Sequence, residues 1–335
     1  MKTYNFAIIG CGRIAQRHAE IIKRCGKLIA AADVKPERAE EFSNRFVCNT
    51  FTDYKKMLSN SGIDIVSVCT PNALHPAHTI DSLLSGKHVI CEKPMATKVS
   101  DCLEMIKASE NSSKKLFIVK QNRFNPPVAA LKKLIDENKL GKIYNVEVNC
   151  FWNRNEQYYL ASDWKGKASL DGGTLFTQFS HFIDLVYWLI GDVTKVHAFR
   201  KNYSHLNTIE FEDTGAAIFE FANGAIGTIS YTVNSFGKNM EGSIAVFAEK
   251  GTVKIGGQYL NVLEYQNIEN YKIEGLDESR PANDYGYYQG SMSNHGDVYN
   301  NVIDVLENNG TIAASAYEGM KTVDIIRKIY DAGKI

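Results

Sequence analysis

The run VICEKPMA at residues 89–96 carries strand-like residues into an acid, a base and a proline. Pro94 cannot donate to a strand ladder and forces a turn, so Glu92 and Lys93 stand where a strand leaves the core. Parallel sheets bind ligands outside the carboxyl ends of their strands. A lysine held there can stabilise an alkoxide or ketone oxygen, or exchange a proton once burial has lowered its pKa. The second proton carrier is His181, in DGGTLFTQFSHFID at 171–184. There a glycine pair makes a turn, a helix follows, and Asp184, three residues on, can orient the imidazole. The third group binds rather than reacts. GCGRIA at 10–15 fits G-x-G-x-x-A between a strand and a helix. Gly10 permits a tight turn, Gly12 lets the backbone approach a pyrophosphate, and Ala15 allows close packing. The helix N-terminus adds partial positive charge. Asp33 stands about 20 residues on, where its carboxylate accepts from ribose hydroxyls and repels a 2′-phosphate. NAD is therefore expected over NADP.

The elements that must hold these groups are readable from periodicity. Short apolar runs at 4–9, 28–32, 65–69, 88–91 and 116–119 alternate with helical patterns at 14–23, 36–45, 54–59, 76–84 and 100–109. That rhythm predicts a doubly wound parallel sheet with helices on both faces. Thr70-Pro71-Asn72 follows the third of these strands as Lys93 follows the fourth. Pro126 and Pro127 break the rhythm. Beyond them, 146–152 alternates as a half-buried strand. Two hairpins are predicted, one around Asn223-Gly224 and one around Lys250-Gly251. Helices are expected at 180–190, 298–306 and 317–330, the last two as core packing without chemistry. The expected architecture is α/β, with a parallel-sheet domain at 1–122 and an α+β domain with a large, mostly antiparallel open sheet at 123–335.

Composition narrows the function classes. A chain of 335 residues is long enough for two domains. Lys+Arg and Asp+Glu are both 38, so no basic excess points to nucleic acid or an anionic membrane. The seven cysteines are odd in number and form no C-x-x-C pair, which favours a reducing compartment. No apolar run suits a signal peptide or a membrane span, and a cytoplasmic location is expected. His181 with Asp184 and His75 with His78 each lack a third ligand, and hydride transfer to NAD needs no metal, so none is expected.

Taken together, AIIGCGRIAQRH, CTPNALHP, CEKPMA, QNRFNPP and LDGGTLFTQFSHFIDL resemble the glucose–fructose oxidoreductase / inositol dehydrogenase / MocA family over essentially the whole chain. The resemblance implies a Rossmann domain, an open-sheet second domain, NAD(P), sugar or cyclitol substrates, and dimers or tetramers. It makes Lys93 the lysine that meets both cofactor and substrate, and His181 the acid–base or its neighbour. Gly10, Gly12, Arg13, Ile14, Asp33, Thr70, Asn72, His75, Glu92 and Gln121 are then expected along the cofactor. One departure stands out: many members carry Asp four residues before the histidine, where this chain has Thr177. A narrower resemblance, through 121–143, 152–173 and 209–229, is to bacterial UDP-N-acetylglucosaminuronate 3-dehydrogenases. Those serve the synthesis of diamino-uronic sugars for surface polysaccharides. It implies oxidation at C3 of a UDP-linked uronic sugar, with Arg123, Tyr159, Trp164 and Thr177 toward the substrate. Arg123 or Arg154 would meet a carboxylate or diphosphate. The competing readings are a dehydrogenase of a free sugar or cyclitol and a non-catalytic NAD or sugar sensor. The sensor would be expected to lack the Lys93 and His181 pair.

Overall fold

The computed structural model describes residues 2–284, 286 and 288–333. Contacts divide the chain into two compact units, Met1–Lys120 with His295–Val323, and Gln121–Asn294 with Asp324–Ile335. The sequence reading expected one cut at 122/123. The difference is a C-terminal segment that returns to the first unit.

The first unit alternates strand and helix. β1 (Tyr4–Ile9), α1 (Arg13–Cys25), β2 (Gly26–Ala32), α2 (Pro36–Phe46), β3 (Asn49–Phe51), α3 (Tyr54–Leu58) and β4 (Ile65–Val68) come first. α4 (His75–Leu84), β5 (His88–Cys91), α5 (Val99–Ser112) and β6 (Leu116–Ile118) follow. The six strands run in the order β3-β2-β1-β4-β5-β6, and every pairing is parallel. This is the doubly wound order, and its switch point lies between β1 and β4, the place where such sheets take a ligand. Strands covered on both faces read as continuous apolar runs, which is why β4 and β5 stand out in the sequence. β3 is a short edge strand and went unforeseen.

In the second unit α6 (Pro126–Asp136) begins on its two prolines, whose missing N–H groups cost nothing in a first helical turn. β7 (Ile143–Phe151), α7 (Glu156–Leu160), α8 (Ser180–Ile190), β8 (Val193–Lys201), β9 (Thr214–Phe221) and β10 (Ile226–Thr232) follow. After them come β11 (Glu241–Ala248), β12 (Gly251–Gly256) and β13 (Val262–Ile268), then a small pair, β14 (Ala282–Asp284) and β15 (Gln289–Met292). Seven strands form one sheet, β13-β12-β11-β7-β10-β9-β8. Its pairs are antiparallel except β7 with β10. Both predicted hairpins are present, β9–β10 and β11–β12. Along β9, Ala217, Phe219 and Phe221 are buried while Ala216, Ile218 and Glu220 face out, the alternation of a sheet packed on one face. α8 lies among buried aromatics, with Phe182 5.8 Å from the Trp152 ring. On exposed strand positions the sheet carries Phe199, Ile218 and Ile226.

α9 (His295–Asn308) belongs to the first unit, and α10 (Ala316–Ala332) runs from the first into the second. Tyr299 fixes α9: it is fully buried, with its ring 5.7 Å from Phe6 of β1. Among the described residues no helix is long and apolar enough to cross a membrane.

Candidate active site

In the first unit, the glycine loop has the form its motif requires. Gly10 sits at φ +91°, and a Cβ there would lie 2.9 Å from the Cys69 carbonyl oxygen, so a side chain is excluded by both strain and contact. Its N–H donates to Ala32 O at 2.7 Å. Gly12 is the N-cap of α1 and offers no side-chain cap, and Arg13 and Ile14 open the helix without an acid in the first turn. No acid of that turn repels an incoming anion. Asp33 closes the arrangement. Oδ2 accepts from Cys11 N at 2.8 Å, and Oδ1 from Lys35 N at 2.9 Å. Each carboxylate oxygen keeps a further lone pair for a ribose hydroxyl. These residues fit a dinucleotide.

The loop after β4 is braced from below by two histidines of α4. His75 Nε2 lies 2.9 Å from Thr70 O and its Nδ1 lies 2.7 Å from Pro94 O, tying this loop to the Lys93 turn. Burial lowers the His75 pKa, and a neutral ring donates to one carbonyl at a time. His78 Nδ1 meets Thr70 Oγ1 at 2.9 Å, and burial pulls its pKa down to about 4. Asn72 is buried and Thr70 half-buried. His75, expected along the cofactor, thus acts on the backbone of two cofactor-side loops.

Lys93 is half-buried two residues beyond β5, and its peptide bond to Pro94 is cis. Glu92 turns inward. Its Oε2 accepts the Lys93 N–H at 3.0 Å, and its Oε1 meets His18 Nε2 at 2.8 Å. Burial opposes ionisation of Glu92, but hydrogen bonding from His18 and His295 outweighs it and holds the carboxyl well below its usual range. His18, Glu92 and His295 are the sole trio of metal-ligand-type groups that converge among the described residues. The 2.8 Å separation between His18 and Glu92 is that of a hydrogen bond. Neither His18 nor His295 was singled out from the sequence, because two rings whose centroids are 5.5 Å apart stand 277 positions apart in the chain (295 − 18).

In the second unit, His181 lies in the first turn of α8, directly after a wide π-helical turn, Leu175–Phe179. Such turns recur at functional sites. Gln121, expected along the cofactor, places its Nε2 3.1 Å from His181 Nε2 and donates to Ser291 Oγ at 2.9 Å. Asp184 receives the Arg123 fork, Nε to Oδ2 and Nη2 to Oδ1, each at 2.8 Å. The partner shown for Asp184 is therefore Arg123, and that shown for His181 is Gln121. Neither pairing is visible in local spacing. Thr177 donates its hydroxyl to Asp171. Asp171 also accepts from Gly166 N at 2.9 Å, and burial raises its pKa to about 6. Tyr159 is buried against Tyr158 and His205, and Trp164 is half-buried.

Arg154 is the unusual cation of this unit, 2% exposed. It donates to Gln178 Oε1 at 2.7 Å, Asn153 O at 2.6 Å, Asn239 Oδ1 at 3.2 Å and Gln289 O at 3.3 Å. The rings of Trp152, Tyr158 and Tyr288 lie 5.0 to 5.2 Å from its centre. All four acceptors are neutral, and among the side chains the structure describes no carboxylate pairs with it. A buried guanidinium in that state favours an incoming anion.

A glycine-loop sheet with an inward-anchored Lys-Pro turn, followed by an open-sheet unit with a helix-borne histidine, defines a class of two-unit NAD-binding oxidoreductases. The chain belongs to the GFO/IDH/MocA oxidoreductases. The profile of the oxidoreductase family with an NAD-binding Rossmann fold matches residues 4–120, and that of the GFO/IDH/MocA C-terminal domain matches 128–254. The WlbA dehydrogenase of Chromobacterium violaceum, solved with NADH and UDP-GlcNAcA, is 34% identical with a TM-score of 0.90, over 99% of this chain and 94% of that one. The WlbA dehydrogenase of Bordetella pertussis, solved with the same two molecules, is 33% identical with a TM-score of 0.88, over 99% and 96%. Among curated proteins, levoglucosan dehydrogenase of Pseudarthrobacter phenanthrenivorans is 26% identical over 245 residues, 66% of this chain and 63% of that protein. The chain thus spans less than two thirds of that relative's length.

Proposed function

We propose that the protein is an NAD-dependent dehydrogenase that oxidises a ring hydroxyl, at C3, of a UDP-linked N-acetylated uronic sugar in the synthesis of surface-polysaccharide precursors. The observation that carries this reading is the likeness, across both units and above 30% identity, to two structures that hold NADH and UDP-GlcNAcA. The buried Arg154, with no acidic partner among the described side chains, supports an anionic substrate. When bound, NAD accepts the hydride from the carbon that bears the hydroxyl. The chain's own residues supply the rest. Gly10, Gly12 and the first turn of α1 seat the pyrophosphate, with Arg13 and Ile14 beside it, and Asp33 selects the ribose. Thr70, Asn72, His75 and Glu92 shape the cofactor-side loops. The single hydroxyl proton goes to one of two bases of the chain, Lys93 or His181, with Gln121 holding the His181 ring. Arg123 anchors α8 through Asp184. Tyr159, Trp164 and Thr177 line the sugar side. Copies associate through the exposed sheet face that carries Phe199, Ile218 and Ile226. The protein works in the cytoplasm.

A second reading, a free sugar as substrate, is favoured by the levoglucosan dehydrogenase relative. The test is NADH absorbance with NAD and a panel of UDP-uronates, free sugars and inositols, with 2-oxoglutarate in a parallel set to recycle retained NADH. Turnover restricted to UDP-N-acetylglucosaminuronate is expected. Turnover on a free sugar alone would remove the nucleotide from the proposal. Lys93→Met and His181→Asn should each lower kcat about 100-fold or more, with circular dichroism and NADH binding unchanged.

A further inference from the structure

Beneath the Lys93 turn lies a continuous row of buried polar side chains, all within the first unit. Glu92, 6% exposed, is at its centre. One of its oxygens takes the Lys93 N–H, and the other faces His18 Nε2 at 2.8 Å and His295 Nε2 at 3.3 Å. Beyond His18, its Nδ1 lies 2.7 Å from Tyr299 Oη, which lies 2.7 Å from Ser67 Oγ on β4. The hydrogens have one consistent arrangement with a neutral His18 ring. Ionised Glu92 only accepts, so His18 Nε2 donates to it. His18 Nδ1 then accepts from Tyr299, and Tyr299 accepts from Ser67. The hydrogen-bonded part of the row, from Lys93 N through Glu92, His18 and Tyr299 to Ser67, holds those side chains in place. His295 faces Glu92 as a charge contact, its ring nitrogens making no hydrogen bond to any other group among the described residues.

The ends of the row give it a purpose. One end is the backbone of Lys93. The other is Ser67 on β4, reached through α9, whose His295 and Tyr299 lie outside both profile-matched segments, 4–120 and 128–254. We infer that His295 and Tyr299 are positioning residues for Lys93. Helix α9 clamps the Glu92 carboxylate, and Glu92 fixes the peptide from which the Lys93 ammonium projects. The inference rests on the reading of Lys93 as the group that meets the substrate hydroxyl. A long side chain magnifies any tilt of its own peptide, and reacting groups tolerate little displacement.

Tyr299→Phe removes one oxygen and keeps the ring packed. His295→Leu removes the contact to Glu92, and His295→Gln keeps an N–H donor. Backbone amide hydrogen exchange at Lys93, in protein without sugar, should quicken about tenfold in Tyr299→Phe and His295→Leu as the turn opens more often. His295→Gln should restore most of the protection. With NAD and UDP-N-acetylglucosaminuronate, kcat should fall about tenfold in the same two variants while KM for NAD stays within about twofold. Unchanged exchange at Lys93 overturns the inference. So does faster exchange with unaltered kcat, or a lowered Tm with kcat per folded molecule intact. Lys93→Met separates the two readings. If that variant turns over at the parent rate, the role of Lys93 fails, while exchange at position 93 in the other variants still reports whether α9 holds the turn.

Discussion

Replacing Arg123 by methionine would take the guanidinium fork away from the buried Asp184 carboxylate. The fork is bidentate, with both contacts at 2.8 Å, and both side chains are 2% exposed. Removing one member of a buried pair costs about 3–5 kcal/mol, because the remaining charge keeps its desolvation penalty and loses its compensation. The Arg123 guanidinium also lies 4.9 Å from the half-buried Trp188 ring, which adds about 1 kcal/mol. The single variant should therefore lose about 4–6 kcal/mol. Arg123→Met with Asp184→Leu removes both charges and should regain at least about 2 kcal/mol of that loss. All three tryptophans, Trp152, Trp164 and Trp188, lie in the second unit, so tryptophan fluorescence in urea follows the unfolding of that unit alone. A loss below about 1 kcal/mol in the single variant would refute the reasoning, since it would mean that water reaches Asp184. A double variant no better than the single would refute it equally, because the cost would then be packing and not charge.

Asp171 sets a pH dependence of opposite sign to the usual carboxylate. Its pKa is raised from 3.8 to about 6 by burial. The folded state therefore binds more protons than the unfolded one between those values, and stability falls as pH rises through that window. The drop is about 3 kcal/mol and flattens in Asp171→Asn, which urea titrations from pH 4 to 7 would read. Gly173→Ala should lower Tm sharply, at a cost of about 2 kcal/mol or more. The position has φ +131° and a Cβ there would lie 2.2 Å from Tyr330 Oη; an unchanged melting curve would count against the contact. Asp33→Ser should weaken NAD binding about tenfold or more and narrow the preference over NADP, by loss of a charged acceptor. Fluorescence titration with both reduced cofactors measures that, and a preserved preference would move specificity elsewhere.

Much of the architecture was legible because local chemistry repeats. The continuous apolar runs of β1, β4 and β5 separated by helical patterns announced a parallel sheet. The Asn223-Gly224 hairpin and α8 at Ser180–Ile190 lie where turn chemistry and helical period put them. β3, β8, β13, β14 and β15 were missed: β3 is three residues long, β8 and β13 are exposed enough along their length to hide their period, and β14 and β15 are short. The glycine loop and Asp33 were readable for the same reason as the fold, since βα geometry fixes their spacing. Lys93 was readable because a proline follows it at a strand end.

What the sequence determined by itself was therefore the order of elements, the cofactor loop and the residue types poised for proton transfer. Each of these is set by interactions between residues near in the chain. Only the tertiary structure decided who partners whom. It paired Asp184 with Arg123, sixty-one positions away, and set Gln121 against His181. It gave Asp171 to Thr177 and left Arg154 buried among neutral acceptors. It also returned α9 to the first unit, so that His295 and Tyr299 stand under Glu92. A side chain's charge partner depends on burial and on which elements pack together. A one-dimensional pattern records the need for a partner, in a buried acid or a helix-borne histidine, but the partner itself is chosen by the packing that removes water from both.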